Sequence, residues 1–249
     1  MTELIVIAFI IGFILFAMWL YKSVMIRQTK LKLGITQILN DGSIVEAMDH
    51  EIIASSQLPF DGDLLASFFA TYLTMRESKG AGNWSGLIST YLFQWEVDGL
   101  IKTSLDSDGR PHLTFNDVKP TTEIELELYD ILKSNHLTDF DYDLLKDWSQ
   151  KVLALGEQAL LELGDIAFDQ KGRIRFTREG YDKSLSHGRF AKYWMDLSLL
   201  TFNEFDQKRQ QQELSFALLL ELTDKIQAFV SENSNASDIL QIANQVWRF

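Results

Sequence analysis

An uninterrupted apolar run near the N-terminus constrains the fold more than any other feature. The residues from Leu4 to Leu20 include no charged or strongly polar side chain. As a helix this run would be about 26 Å long at 1.5 Å per residue, close to the lower limit for crossing a bilayer core of about 30 Å. Trp19 and Tyr21 stand at its end, where aromatic rings favour the headgroup layer. We therefore predict a transmembrane anchor over residues 1–21.

A cleavable signal peptide is the alternative interpretation of the same run. Such a peptide has basic residues before the apolar stretch and a small-residue cleavage site after it. Residues 1–3 contain no Lys or Arg, and the segment after the run has no such site. A retained anchor is therefore the favoured prediction.

The charges that flank the run predict its orientation. Basic residues occur on its C-terminal side alone, at Lys22, Arg27, Lys30 and Lys32. Because Lys and Arg are enriched on the cytoplasmic side of membrane spans, the N-terminus is expected outside and residues 22–249 in the cytoplasm. The prediction is a single-pass protein of the cell membrane, in contact with lipids through the anchor.

Composition excludes several classes of site. The chain of 249 residues has no Cys, so disulfides, thiol catalysis and cysteine-ligated metals are ruled out. With 46% hydrophobic residues it can bury a substantial core. The formal net charge of −12 argues against general affinity for nucleic acid, which depends on Lys and Arg that neutralise phosphates.

Two stretches of the body share one pattern, in which a helix stops at a Gly and a hairpin follows. The first helical stretch, residues 83–98, stops at Gly99 and precedes a hairpin that returns at 112–115. The second, residues 141–163, stops at Gly164 and precedes a hairpin that turns at 169–172. Another predicted helix comes before each stretch. Helices followed by a hairpin are typical of a winged helix, so the pattern predicts two winged-helix-like units in tandem.

The predicted fold is mainly α with two small β-hairpins, an N-terminal transmembrane helix and tandem winged-helix-like cytoplasmic units. The predicted segments after the anchor are a juxtamembrane linker at 22–58, a first unit at 59–119, a second unit at 120–205 and C-terminal helices at 206–249. A long amphipathic helix is expected over 208–230, and a short one over 239–249.

One basic segment interrupts the acidic body. Residues 171–192 contain seven basic and two acidic residues. The candidate interaction residues in it are Arg173, Arg175, Arg178, Lys183, Arg189 and Lys192. Arg173 and Arg175 have the i, i+2 spacing that places strand residues on one face. Three interpretations remain open: a solvated or internally paired face, a contact with anionic lipid headgroups, and a wing that contacts nucleic acid.

No residue pattern indicates an active site. The four histidines have no metal-binding spacing, and Asp106-Ser-Asp-Gly109 has the character of a hairpin turn. The tryptophans at 84, 95, 148 and 194 lie in apolar helical patterns and are expected in the core. We therefore expect a protein without enzymatic activity, cofactor or metal.

Several short motifs in residues 60–230 carry a family resemblance. They are Thr177-x-x-Gly180 at a helix start, Gly188-x-Phe190, Phe216-Ala217 and Asp224-Lys225. With these motifs the chain resembles the cytoplasmic tail of the YciQ-like predicted bacterial membrane proteins, a family of unknown function. The family usually has a large extracytoplasmic domain before the anchor, where three residues stand here, and often further spans in the tail, where a hairpin is expected here at 165–176. The resemblance implies no catalytic residues.

The sequence thus predicts a membrane-anchored interaction or scaffold protein with a protein partner. Its candidate contacts are the basic segment and the exposed parts of the helix predicted within 206–230. The alternative is a membrane-tethered regulator that binds nucleic acid through the basic wing, a partner that the acidic body makes less favourable.

Overall fold

The computed structural model describes residues 36–47, 52–77, 82–105, 111–134, 142–222 and 226. The predicted anchor at 1–21, its flanking basic residues and the short helix expected at 239–249 lie outside the described residues. In the part that is described, no helix has both the length and the hydropathy that a membrane span needs.

The described chain is mainly helical with small antiparallel hairpins, which confirms the coarse fold prediction. The strands are β1 (Thr36–Ile38), β2 (Ile44–Glu46), β3 (Ile101–Leu105), β4 (Pro111–Phe115), β5 (Ile166–Phe168) and β6 (Ile174–Phe176). The helices are α1 (Leu64–Glu77), α2 (Trp84–Val97), α3 (Glu123–Ser134), α4 (Tyr142–Glu162), α5 (Arg178–Ser184), α6 (Ser186–Asp196), α7 (Leu199–Asn203) and α8 (Gln207–Leu219). A short 3-10 helix at Pro59–Gly62 precedes α1.

Both predicted hairpins are present, and a third was not predicted. Strands β3 and β4 pair with Ile101 opposite Phe115, and β5 and β6 pair with Ile166 opposite Phe176. The third hairpin, β1–β2, lies within residues 22–58, for which the sequence predicts a linker. The backbone N–H of Asn40 in this turn donates to the carbonyl of Phe176 at 2.9 Å, so the extra hairpin lies beside β6.

Side-chain caps explain where several helices begin. Asn83 accepts a hydrogen bond from the Gly86 N–H at the start of α2, and Thr177 accepts one from the Gly180 N–H at the start of α5. Asp206 accepts one from the Arg209 N–H at the start of α8. Each cap satisfies a backbone donor that has no partner within its own helix.

The long helix predicted over 208–230 was wrong in length, because α8 ends at Leu219. Glu221 has a φ of 53°, and the N–H groups of Glu221 and Leu222 donate to the carbonyls of Leu218 and Ala217 at 3.0 and 2.9 Å. This is a Schellman cap with Glu at the position that Gly usually occupies. The hydroxyl of Ser85 on α2 donates to the Glu221 carboxylate and holds the unusual residue in place.

Two hydrophobic cores organise the described residues. The larger core contains Trp95, Trp148 and Trp194, each at most 1% exposed, and it includes side chains from both predicted units. The smaller core lies between the β1–β2 hairpin, α1, the end of α4 and the β5–β6 hairpin. Trp84 is also buried, so the core prediction for the four tryptophans is confirmed.

Three glycines within helices lie so close to the backbone or a side chain of another element that a Cβ would not fit. A Cβ at Gly86 would lie 2.5 Å from the carbonyl oxygen of Leu219, and one at Gly156 would lie 2.6 Å from the Cβ of Phe69. At Gly180 it would lie 2.5 Å from the carbonyl carbon of Asp165. These contacts join α2 to α8, α4 to α1, and α5 to β5.

We predict that Gly180→Ala lowers the free energy of unfolding by about 3 kcal/mol or more, because neither backbone can give way without disturbing the hairpin. Gly188→Ala in α6 is the matched control, since its added Cβ would meet only side-chain atoms of Ile52, at 3.3 and 3.5 Å. The control should change stability by less than about 1 kcal/mol, because Ala also favours the helix. Denaturant unfolding of the full-length protein measures both, and equal effects would contradict the interpretation.

Candidate interaction surfaces

The six predicted interaction residues occupy consecutive elements at one end of the second unit. We call this set, Arg173, Arg175, Arg178, Lys183, Arg189 and Lys192, the basic cluster. Its members lie in the β5–β6 turn, in β6, and on α5 and α6. Four of them contact nearby carboxylates, although the side chains of Arg173 and Arg178 remain 51% and 71% exposed.

Asp169 binds the two arginines of the hairpin. Its Oδ1 accepts hydrogen bonds from the N–H groups of Lys171 and Arg173 at 2.8 and 2.9 Å. Its Oδ2 lies 2.7 Å from Nη2 of Arg173 and 3.8 Å from Nε of Arg175. The backbone N–H of Arg173, followed by its side chain and the Lys171 N–H, lowers the pKa of Asp169 to about 2. Arg173 and Arg175 therefore share a carboxylate, and the Arg175 side chain is only 8% exposed.

The two basic residues of α5 are also paired. Lys183 donates to Oδ1 of the fully buried Asp165 at 2.7 Å, and this hydrogen bond raises the pKa of Lys183. Its Nζ also lies 3.7 Å from Glu179. Arg178 is 71% exposed and lies 4.0 Å from Asp182, which is a weak surface ion pair. Lys183 thus joins α5 to the start of β5.

The two remaining members of the cluster, Arg189 and Lys192, lie half-buried on α6. The carbonyl of Arg189 accepts a hydrogen bond from the Ser55 N–H at 3.1 Å. This bond fixes the extended segment before the 3-10 helix against α6.

Two cavities with mixed polar and apolar linings lie beside α8. One cavity of about 490 Å³ lies between the end of α2, the 116–122 segment and α8, and a second of about 350 Å³ lies between α8 and residues 56–58. Lys208 and Gln212 line both cavities, so the two lie side by side along α8. We call their union the α8 groove.

A fixed arginine stands at one end of the α8 groove. Arg209 Nε donates to Oε1 of Glu213 at 3.2 Å, and its guanidinium carbon lies 3.9 Å from the centre of the Phe205 ring. The hydroxyl of Tyr193 donates to the same Oε1 at 3.2 Å. Burial raises the pKa of Glu213, whose side chain is 2% exposed, while that of Arg209 is 45% exposed. The guanidinium is therefore held by an enclosed carboxyl group and an aromatic ring.

A third cavity, of about 240 Å³, contains a histidine. His187 lines it together with Met75, Asn83 and Glu221. Nδ1 of His187 lies 3.1 Å from the carbonyl oxygen of Ser184, and the ring centre lies 5.5 Å from that of Phe60. Burial lowers the pKa of His187 to about 4. Among the described residues, no three His, Asp or Glu side chains gather closely enough to hold a metal ion.

The sequence pointed to part of the α8 groove and missed the rest. Lys208, Gln211, Gln212 and Ser215 have the i, i+3, i+4, i+7 spacing of one helix face, and they lie within the segment singled out at 206–230. The opposite wall comes from α2 and the 116–122 segment. Nothing in the local sequence pattern of α8 identifies that wall.

Comparison with family models, curated proteins and solved structures finds no significant match to this chain.

We predict that protonation of His187 destabilises the fold. The pKa of His187 is near 6.5 in the unfolded state and near 4 in the folded state. Between these pH values the unfolded state binds more protons, so the free energy of unfolding decreases as the pH is lowered. Between pH 7 and 5.5 the loss due to this residue should be about 1 kcal/mol. Denaturant unfolding of the full-length protein at both pH values measures it.

His187→Gln should remove that part of the pH dependence, whereas His112→Gln on the exposed face of β4 should leave it unchanged. Identical pH dependence in the wild type and in His187→Gln would contradict the prediction.

Proposed function

We propose that the protein is a non-enzymatic interaction or scaffold module, held at the cytoplasmic face of the cell membrane by the segment from Leu4 to Leu20. In this proposal the body contains two winged-helix-like units, α1–α2 with β3–β4 and α3–α4 with β5–β6. The relationship to the YciQ-like proteins is part of the same proposal. The partner is a protein that contacts the exposed face of α8.

The observation that carries the proposal is the contrast between the basic cluster and the α8 groove. In the cluster, Arg173 and Arg175 contact Asp169, and Lys183 binds Asp165. In the groove, Lys208 forms no ion pair with any described residue, and glutamine amides lie on the surface beside it. Side chains that are already paired within the fold contribute little to a new contact, so the groove is the better candidate surface.

The same contrast weighs against the nucleic-acid alternative. A wing that contacts phosphates needs cations free to approach the backbone of the nucleic acid. Here the wing arginines are paired, and the neighbouring α4 has Asp143, Asp147 and Glu162 on exposed positions. These carboxylates lie along the helix that would approach nucleic acid in a winged helix, and they would repel its phosphates.

Site-specific photo-crosslinking in native membranes tests the proposal. A photoreactive phenylalanine analogue at Gln212 in the α8 groove should yield one defined protein adduct, because the partner contacts that surface. The same analogue at Lys146, exposed on α4, is the matched control and should yield none. Immunoblotting and mass spectrometry of the adducts provide the measurement.

A third position, Lys171 in the β5–β6 turn, separates the alternatives. An adduct at Lys171 and none at Gln212 would move the contact to the basic cluster. DNA that copurifies with steep salt dependence, without any protein adduct, would contradict the scaffold function and favour the tethered regulator.

A further inference from the structure

The two outer edges of the β3–β4 hairpin differ in how their backbone groups are satisfied. The N–H of Asn116 donates to the carbonyl of Leu100 at 2.9 Å, and this bond fixes which residues of the ladder face their partners. In an antiparallel pair the intervening residues, here the odd-numbered ones, direct their N–H and C=O groups outward. On the β3 edge, the outward N–H and the hydroxyl of Thr103 donate to the Glu96 carboxylate of α2 at 3.4 and 2.6 Å. A side chain of α2 therefore occupies the edge of β3.

The edge of β4 has no such cover within the described residues. Leu113 and Phe115 are the β4 residues with both an outward N–H and an outward C=O, since Pro111 has no N–H. No described residue forms a hydrogen bond with these outward groups. Within the described chain β4 pairs with β3 alone. Two N–H and two C=O groups are thus available to another strand.

β4 also lacks the features that keep most edge strands from pairing. Edge strands are usually protected by charged side chains, by Pro or by a covering element. The five residues of β4 include no Lys, Arg, Asp or Glu, and Pro111 blocks pairing at the first position alone. The edge of β6, by contrast, is covered by the β1–β2 hairpin, whose Asn40 N–H donates to the Phe176 carbonyl at 2.9 Å. The edge of β4 is therefore ready to pair with an extended backbone.

A second copy of β4, running antiparallel to the first, complements this edge. In one register Leu113 lies opposite Phe115 of the second copy, and Phe115 lies opposite its Leu113. Each of these two pairs exchanges two hydrogen bonds, so the outward groups of both copies are all satisfied. Thr114 then lies on the two-fold axis, opposite Thr114 of the second copy.

The side chains on both faces of that pairing are compatible. Leu113 and Phe115 belong to the apolar inner face of the hairpin, so apolar side chains meet beside the axis. On the outer face Thr114 meets its own copy, and His112 lies opposite Asn116 of the second copy. Residues 112–116 contain no Lys, Arg, Asp or Glu, so no position brings like charges together. This self-complementary register favours a second copy over an unrelated strand.

From this edge we infer that two copies of the chain associate through β4 and form a four-stranded sheet in the order β3–β4–β4–β3. The inference goes beyond the proposed function, since it concerns a surface other than the α8 groove. One strand against another buries less than the roughly 1,200 Å² of a stable interface, so the dimer is expected to be reversible. Covalent trapping is therefore the suitable measurement.

Single Cys variants trap the expected register, because the chain has no Cys of its own. Thr114→Cys places two thiols opposite each other on the axis, with Cα atoms about 4.5 Å apart, within the range of a disulfide. Mild oxidation of native membranes should link two copies, identified by two different tags on non-reducing gels. His112→Cys is the matched control on the same exposed face, since its two copies would lie about 13 Å apart along the strands. Thr114→Cys should give about tenfold more dimer than the control.

A pair of variants tests the register independently. His112→Cys and Asn116→Cys should each give little dimer when expressed alone, because each position lies far from its own copy. The two variants coexpressed should form a mixed disulfide, because position 112 of one copy lies opposite position 116 of the other. All three substituted side chains are exposed, so the folded hairpin tolerates the changes.

Equal yields from Thr114→Cys and His112→Cys, or no dimer from Thr114→Cys, would overturn the inference, and absence of the mixed disulfide would overturn the register. An adduct of Thr114→Cys with a different protein would assign the β4 edge to a partner strand and would overturn self-association as well. None of these results alters the adduct expected at Gln212, so failure of the β4 pairing is distinguishable from failure of the proposed function.

Discussion

The contact between the C-terminus of α8 and the N-terminus of α2 is the interaction on which the rest of the fold depends. The side-chain amide of Asn83 donates to the carbonyl of Leu219, and Gly86 lets that carbonyl approach the α2 backbone. Further along, Thr90 donates to the carbonyl of Ser215 at 3.0 Å. The positive end of one helix dipole thus meets the negative end of the other. This contact between α2 and α8, which we call the seam, completes the larger core and forms one side of the α8 groove.

The buried carboxylate of Asp165 determines how the second hairpin packs against α5. Asp165 is fully buried, and a carboxylate in that position must be paired because leaving it without a counter-charge would cost several kcal/mol. Lys183 supplies that charge, and the Asp165 carbonyl also accepts from the N–H of Thr177 at 2.9 Å. The positive charge of Lys183 therefore serves the packing of α5 on β5, whereas Arg178 of the same segment stays on the surface.

Local pattern in the sequence was enough to locate most helices, two hairpins and the tryptophan core, because periodicity and turn residues determine these elements over short distances. The end of α8 could not be found that way. Glu221 adopts a conformation typical of Gly because Ser85, far away in the chain, binds its carboxylate. Likewise, strand alternation placed Arg173 and Arg175 on one face but could not show that Asp169 lies between them. The α8 face of the groove followed from helical spacing, whereas its opposite wall depends on tertiary packing.

The distance in sequence between the two halves of the seam has a consequence for biosynthesis. Asn83 and Leu219 are separated by 136 positions. At 5–20 residues per second, a ribosome needs roughly 7 to 27 s to make the intervening chain. Throughout that interval the nascent polypeptide exposes the side of α2 that α8 later covers, including the surroundings of Trp84 and Leu87. Completion of the larger core thus waits until α8 has been made, and until then the apolar side of α2 is open to chaperones and to aggregation.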